Sequence, residues 1–115
     1  QPEKLYEHLA RLAAGPWNVN GELGLVVGAT FPDELARVRV LAPRLPLLVP
    51  GVGAQGGDVN ATVRAGLDAD GYGLVINSSR AILYAGKGTD FADQARKAAV
   101  ATRDAIRAAR DAARA

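Results

Sequence analysis

A glycine-rich segment, LVPGVGAQGGD at residues 48–58, carries four glycines directly after a hydrophobic run. Glycines let the backbone approach a ligand closely and adopt positive φ, so such a turn ahead of a helix offers bare N–H groups to an anion. Gln55 lies in the middle of the segment, and its amide can donate to a phosphate oxygen and accept from a sugar or a base. The segment therefore predicts a site for an organic phosphate.

A second candidate for the same chemistry is Arg80, which follows a later hydrophobic run in GLVINSSR. A guanidinium can clamp phosphate oxygens in a fixed, bidentate geometry. A glycine-rich segment alone is equally consistent with a simple tight turn. The assignment to a phosphate therefore depends on Arg80 lying beside the glycine-rich loop.

The elements that must position these residues alternate between helices and strands. Apolar runs without polar alternation predict strands that are buried on both faces, whereas apolar residues at helical spacing predict helices between them. In chain order we expect a helix over 2–14, a strand over 23–29, a helix capped by Thr30, a strand over 45–49, a helix capped by Asp58, a strand over 73–77 and a closing helix from about Thr89.

The predicted helices each show one apolar stripe facing a core. On three of them the stripes are Leu35, Val38 and Ala42; Val59, Val63 and Leu67; and Phe91, Ala95, Ala98, Ile106 and Ala109, with Thr102 between Ala98 and Ile106. Pro32 lies in the first turn of its helix, where a proline is well tolerated.

Three successive strand–loop–helix units indicate right-handed crossovers and a parallel sheet, hence an α/β fold. An open doubly wound sheet and an arc of a closed eight-unit barrel both fit this pattern. In either case the loops that leave the strand ends share one rim. Asn77 and Ser78 lie near that rim, and one of them is expected to bond the glycine-rich loop rather than a ligand.

Composition excludes several classes of function. The chain has no cysteine and one histidine, which excludes disulfides, thiolate zinc sites and multi-histidine metal clusters. The net charge is only +2, and the basic residues are scattered among acidic ones, which argues against nucleic-acid binding. No apolar run is long enough for a membrane span, and QPEKLYEHLA lacks the apolar core of a signal peptide, so we expect a cytoplasmic protein. Without any methionine, Gln1 is expected to begin a processed chain or a piece of a longer one.

Three rim segments, VVGAT at 26–30, VPGVGAQGGD at 49–58 and INSSRAI at 76–82, resemble in order and spacing the last three strand ends of orotidine 5′-phosphate decarboxylase, in its longer bacterial subgroup. The resemblance covers nearly the whole chain. It implies that residues 1–115 are the carboxyl-terminal part of a single (β/α)8 TIM barrel domain, about three β/α units plus a preceding helix.

The resemblance also implies an activity, a substrate and a set of contacts. The expected enzyme is usually a homodimer that decarboxylates orotidine 5′-phosphate to uridine 5′-phosphate in pyrimidine synthesis without metal or organic cofactor. Gln55 and Arg80 would hold the phosphate, assisted by the backbone N–H groups of Ser79 and Arg80. Gly51 and Gly53 would give clearance for the ribose phosphate, and we expect Thr30, Pro50 and Gly51 to line the pocket.

The catalytic residues of that family are not carried over to this chain. The family uses a lysine flanked by aspartates in a DxKxxD pattern, and this pattern is absent from the sequence. Lys87, Lys97 and Asp90 lie in or beside the closing helix and form no such group. We therefore expect this segment alone to be inactive.

Two other interpretations remain open at this point. Another phosphate-binding barrel enzyme, such as a sugar-phosphate epimerase or a tryptophan-pathway enzyme, would share a phosphate site on the rim, but not the PGxGAQxGD segment with its distant arginine. An isolated half barrel without activity is the non-enzymatic alternative.

Overall fold

The computed structural model describes residues 2–53 and 58–114. Helices alternate with three parallel strands, which lie in the order β1, β2, β3 in one sheet. The elements are α1 (Leu5–Ala14), β1 (Leu25–Val26), α2 (Pro32–Leu41), β2 (Leu47–Val49), α3 (Val59–Gly66), β3 (Leu74–Ile76), α4 (Arg80–Leu83) and α5 (Phe91–Arg114). The predicted α/β order is confirmed, although each strand is shorter than predicted and the short helix α4 was not expected.

The sheet is covered on one face only by the described residues. Leu47 and Val49 of β2 are fully buried, whereas Val26, Leu48 and Val75 are aligned across the three strands and exposed. The prediction of strands buried on both faces is therefore wrong for this chain. Alternate side chains of a strand point to opposite faces, and helices within the chain pack against only one of them.

The core lies between that covered face and helices α2 and α3. Leu35, Val38 and Val63 are buried, as their helical spacing predicts, and α2 packs on α3. On α5, Ala109 is buried but Phe91 is exposed, so the predicted apolar stripe is wrong at its first residue. Phe91 is the first residue of α5, which packs on α3 and α4.

The starts of α2 and α3 differ in how they are capped. The Asp58 side chain accepts a hydrogen bond from the Ala61 N–H at 3.1 Å, so the predicted cap of α3 is confirmed. The predicted cap of α2 by Thr30 is wrong, because Phe31 holds the N-cap position and makes no side-chain bond. Pro32 accounts for this, since proline favours the first helical position and makes the residue just before it the cap.

A buried arginine, Arg39, joins the ends of several elements on the side of the sheet away from the carboxyl ends of the strands. It is 7% exposed, and its guanidinium donates to the carbonyls of Gly66 at 2.7 Å, Ala42 at 3.1 Å, Leu45 at 2.7 Å and Gly73 at 3.1 Å. Burial lowers the pKa of Arg39, and the nearby Asp68 carboxylate acts in the opposite direction. Sequence reasoning did not identify this residue.

Candidate functional site

The loops that follow β1, β2 and β3 converge on one cleft at the carboxyl ends of the strands. The cleft has a volume of about 200 Å³. Nine residues line it: Gly28, Thr30, Pro50, Gly51, Val52, Asn77, Ser78, Ser79 and Arg80. The three strands are parallel and adjacent, so the loops at their ends meet on the same rim, as the sequence predicts.

The glycine-rich loop begins with two glycines in the left-handed region. Gly51 has φ of 88° and Gly53 has φ of 83°, which L side chains rarely adopt. A Cβ added at Gly53 would meet no atom of the described residues within 4 Å. The requirement for glycine at this position therefore comes from the backbone conformation, not from lack of space. Both glycines thus have the positive φ that a glycine-rich turn can adopt, whereas their role as clearance for a ribose phosphate stays a prediction.

Val52, between these glycines, anchors the loop to the body of the protein. It is 3% exposed and belongs to the main hydrophobic cluster, whereas Gly53 beside it is exposed. In the described part of the loop, one buried side chain is therefore flanked by two glycines at positive φ.

Arg80 supplies the positive charge of the cleft. It is exposed, begins α4, and forms no ion pair or side-chain hydrogen bond with any other described residue. The residues that line the cleft include no carboxylate to neutralise it. An uncompensated guanidinium among hydroxyl, amide and main-chain groups favours an anionic ligand.

Ser79 precedes α4 in an ordinary right-handed conformation, with φ of −85° and ψ of −61°. The position therefore does not need a glycine. The N–H groups of Ser79 and Arg80 donate no hydrogen bond to another described residue. Within 2–53 and 58–114, these two rim donors have no acceptor in the protein.

Ser78 connects two of the loops. Its Oγ donates to the Val52 carbonyl at 3.3 Å, and the contact is partly buried. The expectation that Asn77 or Ser78 bonds the glycine-rich loop is confirmed for Ser78. The Asn77 N–H donates to the Val49 carbonyl at 3.4 Å, which continues the ladder between β2 and β3 beyond their last paired residues.

The predicted site residues divide into three groups. Arg80, Ser79, Thr30, Pro50 and Gly51 line the cleft. Gly53 follows the lining residue Val52 but is not itself part of the lining, and Gln55 lies outside the described residues.

Sequence reasoning missed two lining residues, Gly28 and Val52. Each lies in a segment that leaves a strand end, which was the signal that could have identified them. Neither offers a polar side chain that a search for chemistry would select.

Groups for metal binding or proton transfer are not assembled at this cleft. Within 2–53 and 58–114, the structure contains no cluster of three or more His, Cys, Asp or Glu side chains that could hold a metal ion. Lys87, Lys97 and Asp90 do not line the cleft. No helix in the same ranges has both the length and the apolar character that crossing a bilayer requires.

The chain is similar in sequence to orotidine 5′-phosphate decarboxylases. No family model matches the chain. It is 69% identical over 108 residues to orotidine 5′-phosphate decarboxylase of Azoarcus sp. (strain BH72), covering 94% of this chain and 40% of that protein. It is 70% identical over 106 residues to orotidine 5′-phosphate decarboxylase of Paracidovorax citrulli, covering 92% and 38%. The chain thus spans about 40% of the length of the curated relatives that it matches.

The fold of the chain also matches solved structures of an OMP decarboxylase and a UMP synthase. Leishmania donovani OMP decarboxylase matches with a TM-score of 0.74 and 45% identity, covering 92% of this chain and 40% of that one. Leishmania donovani UMP synthase matches with a TM-score of 0.77 and 50% identity, covering 93% of this chain and 23% of that one. These matches confirm the predicted α/β fold as part of a TIM barrel, and the open doubly wound alternative is wrong.

Proposed function

We propose that this chain, which has the sequence and fold of a segment of the orotidine 5′-phosphate decarboxylases, supplies the phosphate-binding loops of an intact enzyme. That enzyme would convert orotidine 5′-phosphate to uridine 5′-phosphate. The observation that carries the proposal is the convergence of Arg80 and the positive-φ loop at Gly51 on one cleft without a carboxylate.

The chemistry of the cleft fits a phosphate dianion. Arg80 would donate to two phosphate oxygens, because a guanidinium presents parallel N–H groups. The N–H groups of Ser79 and Arg80 are free to add neutral donors from the same loop. Each hydrogen bond to a charged group contributes about 1.5–3 kcal/mol, so the bidentate arginine contact would contribute about 3–6 kcal/mol.

Gln55 is proposed as the second side chain on the phosphate. It lies two positions after Gly53, in the segment between the loop at Val52 and the Asp58 cap of α3. Its amide N–H₂ would donate to phosphate and its carbonyl would remain free for the ribose or the pyrimidine.

The role proposed for this segment is binding and not proton transfer. The cleft holds no lysine or carboxylate that could protonate a carbanion. Contacts to a phosphate remote from the reacting carboxylate can be used to close loops and stabilise the transition state. The remaining residues of the intact enzyme would supply the lysine and aspartates, and residues 1–115 alone would have no decarboxylase activity.

The exposed row Val26, Leu48 and Val75 supports a place within a larger barrel. In a closed barrel of eight parallel strands, inward-pointing side chains of the strands pack in layers. We propose that these three side chains belong to the layered interior of such a barrel, that residues 1–115 form part of one barrel domain, and that the intact protein is a homodimer.

The proposal is tested with Arg80→Ala in a full-length decarboxylase that carries this chain in place of its own corresponding segment. Titration calorimetry would compare the affinities of uridine 5′-phosphate and of uridine, which lacks the phosphate. The loss of about 3–6 kcal/mol corresponds to a 10²- to 10⁴-fold weaker affinity for the nucleotide. The affinity for uridine should stay within about twofold, because no phosphate contact exists to be lost.

Arg107→Ala is the matched control. Arg107 is exposed on α5 and does not line the cleft, so its removal deletes the same charge elsewhere. Equal loss of nucleotide affinity in the two variants would indicate a nonspecific charge effect. Unchanged nucleotide affinity in Arg80→Ala would refute the proposed function.

A further inference from the structure

The hydrogen bond from Ser78 to Val52 joins two of the loops that line the cleft. Ser78 lies in the loop after β3, two residues before Arg80, and Val52 lies in the loop after β2. The Ser78 Oγ donates to the Val52 carbonyl at 3.3 Å in a partly buried position. The bond therefore links the cation of the cleft to its glycine-rich backbone.

The loop after β2 needs such a link because of its glycines. Val52 lies between Gly51 and Gly53, both at positive φ, and a glycine has access to far more backbone conformations than any other residue. The Val52 side chain is buried, but a buried side chain does not by itself set the direction of the carbonyl that follows it. Ser78 is the described side chain that bonds that carbonyl.

We propose that Ser78 is a positioning residue for phosphate recognition. Its hydroxyl holds the Val52–Gly53 peptide in the orientation seen here and sets the distance from that loop to Arg80, without itself contacting the ligand. Holding the loops in place before binding lowers the conformational entropy that binding must remove. This inference rests on the function proposed above, and it adds a residue that acts through the others.

The other polar side chains of the rim do not have this arrangement. Asn77 is exposed, and Ser79 is exposed with no side-chain bond to cap α4. Only Ser78 among these three combines partial burial with a bond across to the neighbouring loop.

The test uses Ser78→Ala and Ser78→Thr in the same full-length decarboxylase carrying this segment. A neutral hydrogen bond contributes about 0.5–1.5 kcal/mol, so Ser78→Ala should weaken uridine 5′-phosphate binding about two- to tenfold. Binding of uridine should stay unchanged. Ser78→Thr keeps the hydroxyl and should restore nucleotide affinity to within about twofold.

Thr102→Val serves as the control for loss of a hydroxyl-to-carbonyl bond away from the cleft. The Thr102 Oγ1 donates to the Ala98 carbonyl within α5, at 2.9 Å. Its removal should leave the ratio of nucleotide to nucleoside affinity unchanged. The ratio of nucleotide to nucleoside affinity is measured on folded protein only. A loss of stability in Ser78→Ala or Thr102→Val therefore does not alter it.

The outcomes separate this inference from the proposed function. If Ser78→Ala retains full nucleotide affinity while Arg80→Ala loses it, the positioning role is wrong and the phosphate site stands. If Ser78→Ala weakens nucleotide and nucleoside binding equally, Ser78 acts on another part of the ligand and the inference fails. If Ser78→Thr does not restore affinity, the hydroxyl bond is not the cause of the effect.

Discussion

Replacing Arg39 should destabilise the fold that carries the cleft. Its guanidinium is the shared donor for four carbonyls, at the end of α2, in the turn before β2, at the end of α3 and just before β3. Arg39→Met keeps most of the apolar stem and removes every donor. The variant leaves partly or fully buried carbonyls without this partner, which is the costly way to break a polar contact.

The size of the effect follows from opposing contributions. Four hydrogen bonds to a charged donor, at about 1.5–3 kcal/mol each, would total about 6–12 kcal/mol. Removing a buried charge also relieves its desolvation penalty, and water can reach some of the freed carbonyls. Each buried carbonyl left without a donor costs about 1–3 kcal/mol, so after these offsets we expect a net loss of about 3–5 kcal/mol.

Urea unfolding of the full-length protein carrying this segment measures that loss. Arg64→Met, at an exposed position in the last turn of α3, is the matched control and should change the unfolding free energy by less than about 0.5 kcal/mol. Folded Arg39→Met protein should still bind uridine 5′-phosphate, because Arg39 does not line the cleft. An unfolding free energy within about 1 kcal/mol of the parent would refute the structural role assigned to Arg39.

Two further predictions concern the loop and a surface ion pair. Gly51→Ala forces an L side chain to φ of 88°, which should lower the unfolding free energy by about 1–2 kcal/mol and weaken nucleotide binding in calorimetry. Gly28→Ala is the control for stability, because an added Cβ there meets no described atom within 4 Å and should leave the unfolding free energy unchanged. Equal unfolding free energies of the two variants would contradict this account. The hydrogen bond from Arg37 lowers the pKa of Glu7 below 4.5, so this pair stabilises the fold above the ordinary pKa of a glutamate and the contribution is lost as the pH falls through the lowered value. NMR titration of Glu7 should show the lowered pKa in the parent and its return towards 4.5 in Arg37→Gln, and an identical pKa in both proteins would contradict that cause.

The order of elements was predictable from the sequence because it depends on local patterns. Apolar runs, the Pro32 start and the Asp58 cap are each encoded within a few residues, and the structure has them where they were expected, apart from the cap at Phe31. The rim site was predictable for a related reason, since parallel strands in sequence order bring their following loops together.

Three features were not predictable from the sequence, because they depend on contacts between residues that lie far apart in the chain: the Arg39 bonds, the exposed face of the sheet and the choice of Ser78 as partner of Val52. Arg39 looks like any arginine on an amphipathic helix, and only the folded chain reveals its bonds to Gly66 and Gly73. The exposure of Val26, Leu48 and Val75 was not predictable either, because an apolar run indicates a surface that can be buried but not what covers it. The Ser78 bond to Val52 was foreseen only as one of two possibilities, since sequence alone does not orient a side chain on a rim.

The central claim is that Arg80 binds a phosphate in the cleft that the glycine-rich loop borders at Gly51 and Val52. A crystal structure of the full-length decarboxylase carrying this segment, with uridine 5′-phosphate bound, tests it most directly. The account predicts phosphate oxygens within hydrogen-bonding distance of the Arg80 guanidinium, in the cleft bordered by Gly51 and Val52. A nucleotide whose phosphate lies elsewhere, or an Arg80 side chain directed to solvent in the complex, would contradict it.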